Sequence, residues 1–482
     1  MDKAKKLHQA IYDLLATQIE FGTYRYKDPL PKMDEVSQWF SVSLGTVKAA
    51  YHQLKIKGYI TLTKKAGASV AIQLQDKEVE KNIHTFFSLR KDAVMDLCHS
   101  FGLLFSYIQW YGLKNAKSEQ LDELERLCTQ TKILRPYIMI QHIRLIYGSL
   151  NNDLLLRLIW QVFLFFQAPF LSLPTNLVAF EDSDDPLLNM INFCRQKDWD
   201  RLWETVASCQ EQIVSAIQWF YTNRITFEPS EKPISFYWSI YQNTSQQCYS
   251  LAIDILKNVR KGIFTRNDFL PSPTKIAEHM QVSTITVRRT LVLLNQLGTI
   301  RTINGVGSKI LSVEDSIKNC NISKPIIQER VLDFAKSLQI LAITCGACIK
   351  SIATVANAAD IWKSHLLYIK ESLQYESVVF GSLEIILKCS TNQVIREVYD
   401  RLLQFLLWGY PLRSMHGSRE EINEFYLPHI DFLLESLERY DWDSLASELE
   451  NMLFYELQFT VTHLNELGIK DVPDLVISKY RV

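Results

Sequence analysis

Hydroxyl and basic side chains recur in one short pattern at two places in this chain. Val42-Ser43 is followed by Thr46-Val47-Lys48. In the same way, Val282-Ser283 is followed by Thr286-Val287-Arg288. A serine before a stretch of helical periodicity is a good N-cap, so the basic residue falls in the early turns of that helix. A helix of this kind can lie in the major groove of DNA, where a few side chains read base edges and basic residues hold phosphates.

We expect the exposed start of each helix, and the glycine-containing turn that follows it, to contact double-stranded DNA. Glycine lets a backbone approach the duplex closely, and nearby lysines can meet phosphates or a minor groove. An ordinary solvated turn is the alternative for these lysines. The expected contact residues of the first copy are Ser43, Leu44, Thr46, Lys48, Lys64, Lys65 and Gly67. Those of the second copy are Ser283, Thr284, Thr286, Arg288, Arg289, Gly305, Gly307 and Lys309.

The two patterns belong to a longer repeat with a constant separation of 240 residues. Leu30-Pro31 recurs as Leu270-Pro271, and Gly58 recurs as Gly298. In each copy the apolar spacing predicts three helices, the third stopped by that glycine, and then a two-stranded wing. The predicted buried stripes of the third helices are Val47, Tyr51 and Leu54 in the first copy and Val287, Leu291 and Leu294 in the second. The repeat indicates an end-to-end duplication.

These motifs resemble the GntR family of bacterial transcription regulators. The family pattern has a Leu-Pro opening, a Val-Ser-x-x-Thr-Val-Arg reading helix and a Gly-x-Gly wing, and this chain carries that pattern twice. The resemblance implies winged helix-turn-helix DNA-binding domains at residues 1–75 and 243–312. It also implies a cytoplasmic bacterial protein that regulates transcription.

The chain departs from the family pattern at positions that matter for base reading. The arginine that family members often carry after the capping residue is Leu44 in one copy and Thr284 in the other. Lys48 replaces the groove-reading arginine that Arg288 matches in the second copy. Only a guanidinium offers a planar fork for guanine, so the two helices are expected to read different sequences.

The segments that follow the winged domains, residues 76–235 and 313–482, lack strand alternation and carry apolar residues at helical spacing. They too look duplicated, because Asp198-Trp199-Asp200 is echoed by Asp441-Trp442-Asp443. Asn152 and Asn392 likewise precede apolar helices. These segments are similar to the all-helical effector domain of the FadR branch of the family (FCD type). We therefore predict a mainly α protein of two winged helix-turn-helix domains, each followed by an all-helical bundle domain.

Composition agrees with a chain of several domains. At 482 residues with 47% hydrophobic and 22% charged residues, it is too long for one core and too apolar to be disordered. The net charge of −1 combines basic winged segments with acidic bodies, which favours local attraction to phosphate. Nine scattered cysteines indicate reduced thiols. No signal region is predicted at the N-terminus, and Leu154 to Leu173 is predicted as a buried helix rather than a membrane span.

Several candidate sites are weighed against plainer interpretations. Cys345 and Cys348 have metal or redox spacing, but no partner ligands lie nearby in sequence. His142 and His429 lie near positions that bind metal in relatives, but neither body has the full ligand set, so we predict no metal site and no cofactor. The aromatic residues Trp160, Phe163, Phe165, Phe166 and Phe170, and the pair Trp110-Tyr111, could line an effector pocket but are more typical of a core.

The leading functional prediction is a sequence-specific regulator, with a small-molecule effector as an open question. Two winged domains on one chain would make a covalent pseudo-dimer that reads a non-palindromic operator. A further homodimer with four winged domains is also possible. An interaction scaffold with repurposed heads is the alternative, and steep salt dependence of DNA binding would argue against it. An aminotransferase-like enzyme is not expected, because the chain has only 16 glycines and no cofactor-loop pattern. No membrane partner is expected either.

Overall fold

The computed structural model describes residues 2–63, 67–129, 134–177, 186–225, 231–238, 244–260, 263, 268–469 and 472. The chain falls into two compact units, Met1–Phe236 and Tyr237–Val482. Most of the residues described lie in helices, which confirms the prediction of a mainly α fold. The four domain boundaries drawn from the sequence stay a prediction.

The first unit begins with three helices and a hairpin and continues as a helical body. The first segment consists of α1 (Asp2–Glu20), α2 (Met33–Trp39), α3 (Leu44–Ile56), β1 (Ile60–Thr63) and β2 (Gly67–Val70). The body consists of α4 (Asp76–Ser88), α5 (Lys91–Ser100), α6 (Ser106–Lys114), α7 (Ser118–Cys128), α8 (Arg135–Gly148), α9 (Asp153–Val162), α10 (Ala168–Leu171), α11 (Pro174–Leu177), α12 (Pro186–Gln196) and α13 (Trp199–Asn223). Short π-helical segments, Phe101–Phe105 and Phe163–Gln167, join α5 to α6 and α9 to α10.

The second unit follows a similar order of elements. Its first segment consists of α14 (Thr244–Arg260), α15 (Pro273–Met280), α16 (Thr284–Gln296), β3 (Ile300–Ile303) and β4 (Gly307–Ile310). The helices that follow are α17 (Val313–Asn319), α18 (Pro325–Ile352), α19 (Ala358–Ser372), α20 (Val378–Cys389), α21 (Gln393–Leu406), α22 (Arg419–Glu438) and α23 (Trp442–Glu466). Two 3-10 helices, Tyr375–Ser377 and Leu407–His416, lie before α20 and after α21. We call α1–α3 with β1–β2 the first head, and α14–α16 with β3–β4 the second head.

The starts and ends of the reading helices follow from local chemistry. Gly58 and Gly298 adopt φ of +81° and +80° just after α3 and α16. Left-handed backbone of this kind is strained for residues with a Cβ, so glycine ends each helix where the sequence predicted a stop. The predicted buried stripes are also confirmed, because each of the following side chains is buried: Val47, Tyr51, Leu54, Val287, Leu291 and Leu294.

The echoed motifs of the two bodies occupy matching positions at helix starts. The Asp198 carboxylate accepts from the backbone N–H of Arg201 at 3.2 Å and caps α13. Asp441 accepts from Ser444 N at 3.0 Å and caps α23, a helix of the same length of 25 residues. In the same way the Asn152 and Asn392 side chains cap α9 and α21.

The aromatic residues weighed as effector-pocket candidates belong largely to the core of the first unit. Phe163, Phe166 and Phe170 are buried, and the Phe170 ring lies 5.3 Å from that of Phe220. Trp110 is buried and donates from its indole to the backbone oxygen of Trp199 at 3.0 Å. These contacts favour the core interpretation over an open pocket.

The cysteine pair and the two histidines that were considered as metal ligands are surrounded by other parts of the protein core or paired with neighbouring side chains. Cys345 and Cys348 are fully buried in α18, and burial raises the pKa of Cys348 to about 12, so this thiol stays protonated at neutral pH. His142 is buried, and His429 Nδ1 lies 2.5 Å from Glu448 Oε1. Within the ranges described, no group of three or more His, Cys, Asp or Glu side chains could hold a metal ion.

Among the residues that the structure describes, two helical stretches are apolar and long enough to cross a membrane by length and composition alone. They are Asp153–Leu171 and Pro325–Ile352, and 56% and 78% of their most apolar windows are buried inside the protein. Burial of this extent is typical of core helices, since a helix that is apolar on most faces must be covered by its neighbours.

Candidate nucleic-acid interface

The reading helix of the first head begins with a cap built from two hydroxyl side chains. Ser43 Oγ accepts from the backbone N–H of Thr46 at 3.2 Å and lies 2.9 Å from Thr46 Oγ1. Thr46 is only 6% exposed, so its hydroxyl supports the cap and is withdrawn from the surface. Ser43, Leu44 and Lys48 are exposed around it. These three predicted contact residues offer one hydroxyl, one aliphatic and one ammonium group at the start of the helix.

The reading helix of the second head has the same cap and two adjacent arginines near its start. Ser283 Oγ accepts from Thr286 N at 3.1 Å and lies 2.9 Å from Thr286 Oγ1. Thr284, Arg288 and Arg289 are exposed, and the Thr286 side chain is partly so. Two adjacent guanidinium groups provide planar donors for guanine or phosphate, which a single lysine does not.

The hairpins of the two heads share a register but differ in charge. Thr61 pairs with Ser69 across β1 and β2, and their hydroxyl oxygens lie 3.0 Å apart. Arg301 pairs with Lys309 at the corresponding position of β3 and β4. Like charges directly opposite each other on a hairpin are destabilising, and an anion between them would relieve the repulsion. This pair therefore forms a candidate phosphate contact, whereas the described strands of the first hairpin carry two hydroxyl groups at these positions.

The turns of the hairpins adopt the backbone that glycine permits. Gly67, Gly305 and Gly307 have φ of +72°, +74° and +143°. In the first turn Gly67 is exposed, and the predicted contact residues Lys64 and Lys65 lie outside the described residues. Gly305 is exposed and Gly307 partly so.

A tyrosine supports the first reading helix from behind. Burial raises the pKa of Tyr51 well above its ordinary value, so the hydroxyl stays protonated. It donates to the backbone oxygen of Pro31 at 2.6 Å, which ties α3 to the loop that precedes α2. The second head has Leu291 at this position and makes a different tie, since Thr290 Oγ1 donates to the backbone oxygen of Cys248 in α14 at 3.1 Å.

The first head is fastened to its body through α2. The Trp39 ring stacks on Tyr137 of α8 with centroids 4.4 Å apart, and Phe40 stacks on Trp160 at 5.8 Å. Just after α2, Ser41 Oγ accepts from the Arg144 guanidinium at 2.5 Å. The positions that correspond to Trp39 and Phe40 in the second head carry His279 and Met280, which are exposed.

A buried chain of hydrogen bonds also attaches the first head to its body. Tyr137 donates to Gln18 Oε1 at 2.6 Å, and its hydroxyl lies 3.3 Å from that of Tyr24. Gln18 Nε2 reaches Ser172 Oγ at 3.4 Å, so α1 is joined to the end of α10. Burial raises the pKa of Tyr24 to about 12, which keeps this hydroxyl neutral. Satisfied polar networks of this kind fix one arrangement of the parts they join.

The second head is fastened through the turn that follows its reading helix. Gly298 packs so closely on α17 that an added Cβ would lie 2.2 Å from Ser316 O and 2.8 Å from Cys320 N. The backbone N–H of Asn321 also donates to Gln296 O at 2.7 Å. By contrast, no described atom lies within 4 Å of a Cβ placed at Gly58.

Aromatic contacts extend the attachment of the second head. Tyr410 donates to the backbone oxygen of Leu311 at 3.3 Å, just beyond the hairpin. The Tyr249 ring of α14 lies 6.3 Å from Trp408, and the Arg330 guanidinium lies 4.6 Å from the Tyr249 centroid. These contacts join the first helix and the exit of the second head to the helices that follow.

One feature of the interface was missed at the level of sequence. Arg301 is exposed on β3 opposite Lys309, and its place in strand register could have been read from the alternation around Ile300. Ile285, which the sequence places with Ser283 and Thr284 at the exposed start of the second reading helix, is 62% exposed in the first turn of α16.

Comparisons with known proteins agree with the geometry of the first head. Residues 7–70 match the family model of the bacterial regulatory proteins of the gntR family, so this segment is a gntR-family DNA-binding domain. No curated protein matches the chain significantly.

Solved structures similar to the chain include three bacterial proteins. Streptococcus agalactiae GntR aligns at 13% identity and a TM-score of 0.21, covering 44% of this chain and 99% of its own. Listeria monocytogenes Lar, described as controlling the agr system, aligns at 15% and 0.23, covering 47% and 100%. A GntR-family regulator from Pseudomonas syringae pv. tomato aligns at 17% and 0.21, covering 45% and 87%.

Proposed function

We propose that this protein is a sequence-specific transcription regulator of GntR type, in which both heads read DNA. The observation that carries the proposal is the reading helix of the first head, which lies within the segment that matches the gntR-family model. Its cap withdraws Thr46 and leaves Leu44 and Lys48 exposed at the end that enters a major groove.

The second head is proposed to read DNA because its elements repeat those of the first. Ser283 caps α16 with the distances that Ser43 has in α3, within 0.1 Å. The β3–β4 register places Arg301 opposite Lys309, as Thr61 lies opposite Ser69, at the same separation of 240 residues. Two exposed guanidinium groups, Arg288 and Arg289, lie near the start of its reading helix, which favours attraction to phosphate.

A duplicated chain would act as a covalent pseudo-dimer. The matching caps of α13 and α23, and of α9 and α21, support duplication of the bodies as well as the heads. Because the two reading helices differ in sequence, the operator is expected to contain two unlike half-sites. We expect these half-sites to lie about ten base pairs apart or a multiple of that distance, following the helical repeat of DNA.

Effector control of the bodies is part of the same proposal. A cavity of about 130 Å³ in the second unit is lined by Leu256 of α14 together with Phe334 of α18 and Leu406 of α21. Since α14 belongs to the second head, a small molecule in this cavity would contact head and body together. Leu338→Trp places a larger side chain in this cavity, at a position in α18 outside both heads. The variant should either mimic the effect of an effector on DNA binding or block it.

Selection of binding sites from a random duplex library with the full chain tests the proposal directly. The expected product is a pair of unlike half-sites, bound with an affinity that falls steeply as salt rises. A symmetric inverted repeat would contradict the pseudo-dimer. Failure to select any duplex would instead favour the interaction scaffold.

A further inference from the structure

We propose that each reading helix recognises a thymine methyl group with one exposed branched aliphatic side chain, Leu44 in the first head and Ile285 in the second. The inference rests on the proposed function and specifies which base pairs the heads prefer. It assigns a base-reading role to Ile285, and it assigns a chemical target to Leu44.

The observation is the exposure of these two side chains in the first turns of α3 and α16. Leu44 is 42% exposed and Ile285 is 62% exposed, although the helices bury their other large aliphatic residues of the first two turns. The Ser43 and Ser283 caps hold these turns in place. In helix-turn-helix proteins the N-terminal residues of the reading helix are those that reach base edges.

The chemistry of the major groove supplies a partner for such a group. Each base pair presents donors and acceptors there, and the C5-methyl of thymine is the apolar feature that an aliphatic side chain can contact. Basic residues lie on the same helix faces, with Lys48 four residues after Leu44 and Arg288 and Arg289 three and four residues after Ile285. These cations can hold phosphates or guanine while the aliphatic group loses water against the methyl.

The two heads place this aliphatic group at different positions. Leu44 corresponds to Thr284, and Gly45 corresponds to Ile285, so the side chains are offset by one residue. Consecutive helical residues point about 100° apart, because 3.6 residues complete a turn. The two heads are therefore expected to require thymine at different places in their half-sites, which makes the operator asymmetric.

The experiment uses the full chain and the duplex that it selects from a random library. Each thymine is replaced singly by deoxyuridine, which removes the methyl and leaves every hydrogen-bonding group in place. At one thymine in each half-site the wild-type affinity should fall about fourfold, as expected for one methyl withdrawn from burial. Ile285→Ala should abolish the effect at its own thymine and keep it at the other, and Leu44→Ala should do the reverse.

Matched controls come from the same helices. Val292→Ala on α16 and Ile56→Ala on α3 remove side chains that are 56% and 71% exposed but lie outside the first turns, and both should keep full sensitivity to the methyl. A selected duplex with no methyl-sensitive thymine overturns this inference and leaves the proposed function standing. So does methyl sensitivity that survives in Ile285→Ala and Leu44→Ala. If no duplex is selected, the proposed function fails and the inference fails with it.

Discussion

The two heads share their local geometry but differ in the contacts that attach them to their units. The first head uses α2, where Trp39 stacks on Tyr137 of the body. The second uses the turn after α16, where Gly298 packs on the backbone of α17. The corresponding surfaces, His279 in the second head and Gly58 in the first, are exposed. A structural change in one body would therefore reach its head through different contacts from those in the other unit.

This difference teaches that the reading surface and the attachment surface can diverge independently. The caps at Ser43 and Ser283 have nearly equal distances because they depend on residues three positions apart. The attachments depend on partner residues outside the heads, and these partners differ between the two units. The predictions below test the comparison, beginning with the largest expected effect.

The attachment of the second head should be most sensitive at its glycine. Gly298→Ala adds a Cβ into the backbone of Ser316 at a φ of +80°, and it should lower the free energy of unfolding of the second unit by about 3 kcal/mol. Gly58→Ala meets the same strain in open space and should cost about 1 kcal/mol. Denaturant unfolding with hydrogen exchange, to locate the loss, measures both. Equal losses would remove the proposed asymmetry of attachment.

The attachment of the first head should depend on its tryptophan. Trp39→Ala removes the stacking on Tyr137 from a half-buried position and should cost about 2 kcal/mol in the stability of the first unit. His279→Ala, at the corresponding exposed position, should change stability by less than about 0.5 kcal/mol. Comparable losses in the two variants would show that α15 is also covered.

The reading surfaces should differ in their basic residues. Arg288→Ala should weaken operator binding by about 1–3 kcal/mol, because a guanidinium can form two hydrogen bonds to one base. Lys48→Ala should cost about 1 kcal/mol as the loss of a single charge. Titration of each variant with the selected duplex at several salt concentrations measures both. Unchanged affinity in both variants would contradict the assignment of the reading helices.

Removal of either helix cap should cost nearly the same stability in the two units. Ser43→Ala and Ser283→Ala each remove the acceptor of a helical N–H and should cost about 1 kcal/mol in the stability of their own units. The first loss should be slightly larger, because the Thr46 hydroxyl is buried and would lose its partner. Thermal unfolding of the two variants measures the difference. A negligible loss in either variant would contradict the shared cap.

A substitution in the second hairpin should have the smallest effect on stability, and it is the one variant expected to stabilise the protein. Arg301→Thr removes a like charge opposite Lys309 and should leave the free protein unchanged or stabilise it by about 0.5 kcal/mol. The same variant should reduce the salt slope of DNA binding by about one, the loss of one phosphate contact. Thr61→Val in the first hairpin should leave the slope unchanged. A destabilised Arg301→Thr protein with an unaltered slope would assign the arginine to structure.

Much of the head architecture could be predicted from short-range patterns. Helix starts at Ser43 and Ser283, and stops at Gly58 and Gly298, depend on a few adjacent residues, and they lie where the sequence placed them. The candidate site was predicted less completely. Thr46 was expected to face DNA and instead supports the cap, because burial of its side chain depends on the packing of the whole head.

By itself, the amino-acid sequence determined the repeated pattern, the caps, the helical stops and the residue types offered at the two reading surfaces, since these depend on backbone geometry over one or two turns. Only the tertiary structure decided that Trp39 meets Tyr137, that Gly298 meets α17, and that Thr46 is buried. Such contacts join residues far apart in the chain, and their partners are selected by the packing of complete helices rather than by any local preference.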